Sequence, residues 1–172
     1  FLIVSIAIKI EDRGPVFFTQ KRCTKNGRIF EIIKFRSMVV DAEQGGNVIP
    51  CRSGDPRITR VGRVIRKLRV DELPQILNVL KGDMALVGPR PERIEHVEAY
   101  TKEIPEFAFR LRVKGGLTGY AQIYGKYNTN PYDKLRLDLQ YIEKQSLMLD
   151  FKLLLLTCLL YTSPSPRDPK TS

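Results

Sequence analysis

The chain has 172 residues, of which 42% are hydrophobic, which is enough for one domain with a packed core. Its formal net charge is +10, so we expect an anionic partner such as nucleic acid, lipid headgroups or a phosphorylated substrate. Nucleic acid is not indicated, because the basic residues are mixed with acidic ones and no nucleic-acid-binding motif occurs. Three cysteines and one histidine, without metal-ligand spacing, argue against a disulfide framework or a zinc site.

The first elements in chain order are an apolar stretch and a hairpin. Residues 1–10 are too short to span a bilayer and lack the basic start and cleavage site of a signal peptide, so we expect the remnant of a longer segment. Residues 16–20 and 29–36 alternate as strands around Asn26-Gly27, a strong hairpin signal. Lys34 and Arg36 would then share a face and could hold a diphosphate, although a solvated strand face explains them equally well.

Two further segments lead to the centre of the chain. Residues 44–55 are polar and glycine-rich, which indicates a mobile loop that could cover a site. Residues 57–68 predict a helix with a basic face that includes Arg66. That face could meet lipid phosphates or a substrate, or it could simply be solvated.

Residues 70–92 contain the most informative pattern. Pro74 predicts a helix that begins near Asp71, runs through Leu80 and stops at Gly82. Its positive N-terminal end would stabilise the Asp71 carboxylate and a phosphoryl group beside it. Pro89 and Pro91 flank Arg90 and predict a stiff turn.

A carboxylate pair near an anion-binding helix end, with a rigid arginine, suits phosphoryl transfer. The alternative is that Asp71 is an ordinary N-cap, Glu72 a solvated acid and Arg90 a surface ion-pair partner.

The last segments are apolar and then proline-rich. Residues 131–149 predict an amphipathic helix with Leu135, Leu139, Ile142 and Leu147 in the core. Residues 151–161 are rich in leucine but too short to span a bilayer, and periodicity does not choose between a core helix and an interfacial helix on lipid. The tail beyond residue 161 has the composition of a disordered, non-native extension.

Several motifs in one order resemble the catalytic domain of the bacterial sugar transferases, the monotopic phosphoglycosyl transferases, over about residues 3–157. The motifs are GPVFFTQKR at 14–22, KFRSM at 34–38, DELPQ at 71–75, NVLKGDM at 78–84, GPRPE at 88–92 and GLTGYAQ at 116–122. The chain departs from the family at Gly115, where proline is common, and at Tyr120, where tryptophan is common. Both departures lie outside the carboxylate segment.

The resemblance implies an α/β (α+β) fold, a compact monotopic membrane-associated domain with a small β-hairpin and several amphipathic helices. Residues 1–10 would be the end of an N-terminal re-entrant membrane helix, 11–161 the catalytic domain and 162–172 the disordered tail. The implied location is the cytoplasmic face of the bacterial inner membrane.

The implied reaction transfers a phosphosugar from a UDP-sugar to polyprenyl (undecaprenyl) phosphate and releases UMP, an early membrane step of polysaccharide synthesis. Asp71 would attack the β-phosphate and carry the phosphosugar covalently, and Glu72 would bind Mg²⁺. The phosphates would be held by Lys34, Arg36, Arg66 and Arg90. The partners would be the UDP-sugar, polyprenyl phosphate and membrane lipid.

An alternative from another class is a non-catalytic, basic module that binds the membrane surface. It explains the charge and the apolar ends, but it does not explain an Asp71-Glu72 pair before Pro74. A cytosolic nucleotide hydrolase is not supported, because the chain has no glycine-rich phosphate loop of the P-loop type.

Overall fold

The computed structural model describes residues 1–40, 42, 54–125 and 130–162, with side chains to residue 159. Most of the predicted loop at 44–55, and the predicted tail after residue 162, lie outside the described residues. The strands are β1 (Phe17–Cys23), β2 (Ile29–Phe35), β3 (Ala85–Val87) and β4 (Gly116–Thr118). The helices are α1 (Leu2–Glu11), α2 (Arg60–Lys67), α3 (Gln75–Leu80), α4 (Ile94–Glu103), α5 (Tyr120–Tyr124), α6 (Pro131–Glu143) and α7 (Leu147–Thr162).

The chain forms two compact units. Within the described residues, the first contains Phe1–Thr19 and Ile33–Pro74, and the second contains Gln20–Ile32 and residues 75–162. The mixed fold of helices with a small two-stranded hairpin sheet confirms the predicted fold class. Among the described residues, every helix is either too short or too polar to cross a bilayer.

The predicted hairpin is present, with β1 reaching Cys23 instead of residue 20. A single 3₁₀ turn, Lys25–Gly27, joins the strands, and Asn26 and Gly27 both have positive φ, 58° and 72°. These are the two residue types that adopt the left-handed region at least cost, so the Asn-Gly signal located the turn correctly.

The core of the first unit packs α1 against α2 and β2 through the buried side chains of Ile8, Ile65 and Phe35. Charged side chains fix the ends of these elements. The Glu11 carboxylate accepts hydrogen bonds from the backbone N–H groups of Arg60 (2.6 Å) and Val61 (2.8 Å), at the start of α2. The Thr59 hydroxyl accepts another from Gly62 N (2.8 Å), so α2 begins at Arg60 and not at residue 57 as predicted.

The prediction of a helix that starts at Asp71 is wrong. Arg69, with a φ of 54°, separates α2 from the 3₁₀ turn Val70–Glu72, and α3 starts only at Gln75. The predicted stop is confirmed, since α3 ends at Leu80 and Gly82 has a φ of 79°.

Helix α3 also has its polar side buried and its apolar side exposed. Gln75 and Asn78 are each 1% exposed, whereas Ile76, Leu77 and Leu80 are 40–78% exposed. Val79 is the exception, because it is half-buried against a core cluster of the second unit. The Asn78 amide donates to the backbone oxygen of Glu31 (2.8 Å), which explains why a polar residue is buried here. Most of the apolar pattern therefore marks an exposed surface instead of a core contact.

The second unit contains a parallel strand pair that sequence analysis missed. Strands β3 and β4 pair Ala85 with Gly116 and Val87 with Thr118. The backbones come so close that a Cβ on Gly116 would lie 2.1 Å from the Gly88 nitrogen. Glycine is needed at that position for steric reasons.

The C-terminal helices pack on this strand pair. The predicted helix at 131–149 is wrong in its extent, because α6 ends at Glu143 and α7 starts at Leu147, which is 90% exposed. Leu135 is buried as predicted. In the leucine-rich run, Leu153 is fully buried, as a core helix requires, while Leu155 and Leu159 are 53% and 63% exposed. Contact of this helix with lipid stays a prediction.

We expect Glu11→Ala to lower the free energy of unfolding by about 1 kcal/mol, because two N–H groups of α2 lose their acceptor. Partial burial raises the pKa of Glu11, but the bonds from Val61 and Arg60 lower it by more, so it lies below its usual range. The stabilisation should therefore be full at neutral pH and should disappear as pH falls through that lowered pKa. Urea unfolding at several pH values measures this.

The control is Glu103→Ala, at an exposed glutamate at the end of α4. An equal effect in both variants, or a Glu11 effect that is unchanged at low pH, would contradict the capping role.

Candidate active site

The centre of the candidate site is an ion pair between β2 and the 3₁₀ turn Val70–Glu72. The Lys34 Nζ lies 2.8 Å from Glu72 Oε1, and the two side chains are 20% and 16% exposed. Lys34 occupies the second-last position of β2, and the turn brings Glu72 to it. Partial burial makes this pair stronger than a fully exposed one. The structure thus joins two of the predicted site residues directly.

Asp71 is half-buried beside this pair. Burial raises the pKa of the Asp71 carboxyl, and the neighbouring Glu72 raises it further. The charges of Lys34 and Arg66 act in the opposite direction but do not cancel this effect, so the pKa stays above the usual range. A carboxylate with a raised pKa is a more basic nucleophile once it is ionised, which suits attack on phosphorus.

Arg66 belongs to the last turn of α2 and is half-buried, whereas Arg63 and Lys67 of the same helix are exposed. The basic face of α2 is therefore partly a solvated surface, as the alternative interpretation held, and partly an electrostatic neighbour of Asp71. The left-handed Arg69 reverses the chain after α2, with its N–H donating to Arg66 O at 3.1 Å. This reversal places Arg66 and Asp71 within electrostatic range.

Arg36 follows the end of β2 and is 6% exposed. Its guanidinium donates to Asp12 Oδ2 (2.9 Å) and to the Asp12 backbone oxygen (2.8 Å). Lys34 and Arg36 thus contact different carboxylates, at Glu72 and Asp12. Substrate binding by Arg36 stays a prediction.

Arg90 belongs to the second unit, in the turn that follows β3. It is half-buried, and its neighbours Pro89 and Pro91 are buried. Each of them fixes φ, as the sequence predicted for a stiff turn. Phosphate binding by Arg90 stays a prediction.

The acidic residues at the site fit a magnesium ion held jointly with a substrate. The described part of the chain contains no cluster of three or more His, Cys, Asp or Glu side chains that could hold a metal ion with protein ligands alone. Mg²⁺ is usually bound by one or two carboxylates, with phosphate and water oxygens in its remaining positions. Glu72 supplies such a carboxylate, next to Asp71 in the same turn. Magnesium binding stays a prediction.

Sequence analysis missed a second set of charged residues in the second unit, which includes Arg110 and Asp138. They are 3% and 1% exposed and form an ion pair at 2.7 Å. Their spacing of 28 residues carries no periodic or motif signal, so only packing brings them together.

The family model described as "Bacterial sugar transferase" matches residues 1–163. The chain belongs to the bacterial sugar transferase family. It is 48% identical over 152 residues to a UDP-N-acetylgalactosamine-undecaprenyl-phosphate N-acetylgalactosaminephosphotransferase of Aeromonas hydrophila, covering 87% of this chain and 36% of that protein. It is 44% identical over 161 residues to a UDP-glucose:undecaprenyl-phosphate glucose-1-phosphate transferase of Caulobacter vibrioides, covering 91% and 60%.

A relative of the same printed name from Escherichia coli K12 is 40% identical over 159 residues, which cover 90% of this chain and 34% of that protein. The chain therefore spans between about one third and three fifths of the length of these relatives.

We expect Glu72→Gln to lower the pKa of Asp71, because it removes a neighbouring negative charge, and Arg66→Gln to raise it. The titration of the Asp71 side-chain carboxyl by carbon-13 NMR measures both shifts. Glu103→Gln, in the exposed last turn of α4, is the control and should leave the pKa unchanged. Shifts of the opposite sign would mean that these charges do not set the ionisation of Asp71.

Proposed function

We propose that this chain is the catalytic part of a transferase that moves a sugar 1-phosphate from a UDP-sugar to undecaprenyl phosphate. The observation that carries the proposal is the Asp71–Glu72 pair, with Lys34 and Arg66 acting on it, in a member of the bacterial sugar transferase family. Relatives at 40–48% identity are named for this kind of transfer. Those names differ in the sugar, so the proposal extends to UDP-sugars as a class.

In the first step, an oxygen of Asp71 attacks the β-phosphorus of the UDP-sugar. The bond from that phosphorus to the bridging oxygen breaks, and UMP leaves with the oxygen and its electron pair. The phosphosugar remains on Asp71 as an acyl phosphate. The raised pKa of Asp71 supports this role, because it makes the ionised carboxylate a better nucleophile.

In the second step, a phosphate oxygen of undecaprenyl phosphate attacks the same phosphorus. The bond between phosphorus and the Asp71 oxygen breaks, which restores the carboxylate and releases the lipid diphosphate sugar. A covalent intermediate means that the water-soluble donor and the lipid acceptor need not be bound together.

The basic residues would act on the phosphate charge. Lys34 and Arg66 provide positive charge next to Asp71, and Arg90 and Arg36 are the other proposed phosphate ligands. Glu72 would hold Mg²⁺, and Asp71 would remain the nucleophile. When bound, the ion would supply charge neutralisation to the diphosphate. For that, Glu72 would exchange its contact with Lys34 for the metal, leaving the Lys34 ammonium for a phosphate oxygen.

We further propose that the enzyme works against lipid at the cytoplasmic face of the bacterial inner membrane. Helix α3, a few residues after Asp71, exposes Ile76, Leu77 and Leu80, an unusual surface for a helix whose buried side chains are polar. The net charge of +10 favours an anionic surface. An exposed apolar helix of this kind would rest against the lipid that carries the acceptor phosphate.

Asp71→Asn should abolish UMP release, because an amide cannot form the acyl phosphate, with a loss of at least about 10³-fold. The assay uses a panel of UDP-sugars with Mg²⁺ and undecaprenyl phosphate in detergent. Asp133→Asn, an exposed position in the first turn of α6, is the matched control and should retain activity. Full turnover by Asp71→Asn would overturn the covalent mechanism. If the wild-type chain binds lipid but releases no UMP, the result would favour a non-catalytic membrane-surface module.

Ile76→Gln combined with Leu80→Gln should weaken binding to vesicles that contain anionic lipid by about 10-fold, because the two side chains lose apolar burial. Co-sedimentation at fixed salt measures this. Ile29→Gln, which changes a 52% exposed isoleucine of β2, is the control. Equal losses in both variants would mean that α3 has no special part in lipid contact.

A further inference from the structure

The turn that carries Arg90 is held by hydrogen bonds along its backbone. Four successive carbonyl oxygens accept hydrogen bonds at 2.9, 3.0, 3.4 and 3.0 Å, from Gly116 N to Pro89, Arg110 Nη2 to Arg90, Arg22 Nη1 to Pro91 and Cys23 N to Glu92. Three of these carbonyls belong to residues other than Arg90. The one that belongs to Arg90 is bound by the side chain of Arg110.

Arg110 is itself held in place by a buried carboxylate. It lies in the 3₁₀ segment Pro105–Arg112 and is 3% exposed. Its Nε and Nη2 donate to Asp138 Oδ2 of α6 at 3.0 and 2.7 Å, and its guanidinium carbon lies 4.8 Å from the ring centre of Phe107. One guanidinium therefore joins α6 to the backbone of the turn at residues 89–92, which we call the arginine turn.

A second carboxylate keeps a constant charge beside Arg110. Glu92 Oε1 lies 3.7 Å from Arg110 Nη1 and also pairs with Lys134 of α6. Burial raises the pKa of Glu92, but Lys134, Arg110 and Arg22 lower it by more, to about 2. Glu92 thus remains ionised at any physiological pH, and the arrangement around Arg110 does not change with proton binding to Glu92.

A buried ion pair is weak evidence for a role in stability. Removing two charges from water costs several kcal/mol, and an apolar pair of similar volume often stabilises a fold as well or better. What an apolar pair cannot do is donate a hydrogen bond to the Arg90 carbonyl. That bond restrains rotation of the peptide group between Arg90 and Pro91, while the proline rings on both sides already restrict φ.

We propose that Arg110, oriented by Asp138, is a positioning residue that locks the backbone of the arginine turn and so sets the direction in which Arg90 presents its guanidinium to a substrate phosphate. This inference rests on the proposed function, because it assumes that Arg90 binds a phosphate of the donor or acceptor. Preorganised donors are effective because they need no rearrangement when the charged group arrives.

The test uses the double variant Arg110→Met with Asp138→Leu. It removes both charges together, leaves the net charge unchanged and avoids an unpaired buried carboxylate, so it should fold. Thr157→Val is the matched control, because it removes another hydrogen bond of the second unit, the 2.8 Å contact with Thr118. Melting temperature identifies any variant that fails to fold. Arg110→Lys, which keeps the positive charge but lacks the guanidinium fork that reaches both Asp138 and the Arg90 carbonyl, is the second variant, with the same expected results, if the double one does not fold.

The first measurement is amide hydrogen exchange at Cys23 and Gly116, whose N–H groups donate to the turn carbonyls of Glu92 and Pro89. The double variant should exchange at least about 10-fold faster there than the wild-type chain, while Thr157→Val should not. This readout does not depend on activity. Unchanged protection in the folded double variant would overturn the proposal even if the chain proves to be an active transferase.

The second measurement is a cycle with Arg90→Ala in the UMP-release assay. We expect the double variant to raise the donor KM about 10-fold with little change in kcat, and to have no further effect in the Arg90→Ala background. Additive effects would show that Arg110 does not act through Arg90. If the wild-type chain shows no turnover, the proposed function fails, and the exchange measurement still decides whether Arg110 locks the turn.

Discussion

The ion pair between Lys34 and Glu72 is the contact on which the candidate site depends. It ties β2 to the short turn after α2, and it does so with one of two adjacent carboxylates. Asp71 remains beside a like charge in a partly buried position, which is why burial and Glu72 raise its pKa. Two neighbouring acids therefore differ in character although both stand in the same turn. One is paired at 2.8 Å, and the other has a raised affinity for a proton.

The same unit uses other charged side chains to hold its backbone. Glu11 caps the start of α2, and Asp12 engages the buried guanidinium of Arg36. The path from α1 through α2 to the carboxylates is thus fixed at both ends of α2, by Glu11 at the start and by the reversal at Arg69 at the end. A chain with a net charge of +10 therefore places part of its positive charge in structural ion pairs and part of it around the carboxylate pair.

The arginine turn of the second unit is held by prolines and by backbone hydrogen bonds. Its prolines restrict φ, and its carbonyl oxygens are bound by donors from β1, from β4 and from the 3₁₀ segment Pro105–Arg112. A long arginine side chain loses considerable conformational entropy when it binds a phosphate. If the backbone beneath it is already rigid, binding does not cost backbone entropy as well. The buried pair of Arg110 and Asp138 is explained by this task better than by stability.

Local chemistry by itself determined several features of this protein. Asn26-Gly27 located the hairpin turn, Gly82 located the end of α3, and the ordered motifs identified the family, because each depends on a few adjacent residues. Lys34, Arg66, Asp71 and Glu72 were also named from sequence, and the structure joins Lys34 to Glu72 directly and places the charges of all four within mutual influence. Their chemical roles stay predictions.

Tertiary contacts decided the rest. After the left-handed Arg69 the chain forms a separate 3₁₀ turn, so α3 starts at Gln75 instead of near Asp71, and no residue type signals that in advance. The three-residue strands β3 and β4 exist because they pair across about 30 residues, and a short strand carries too little pattern to be recognised alone. Arg36 faces Asp12 and Arg110 faces Asp138 because of packing between segments distant in sequence. Sequence determined which residues could do the chemistry, and only the tertiary structure decided their partners, because a charge interacts with whatever the folded chain places within a few ångströms of it.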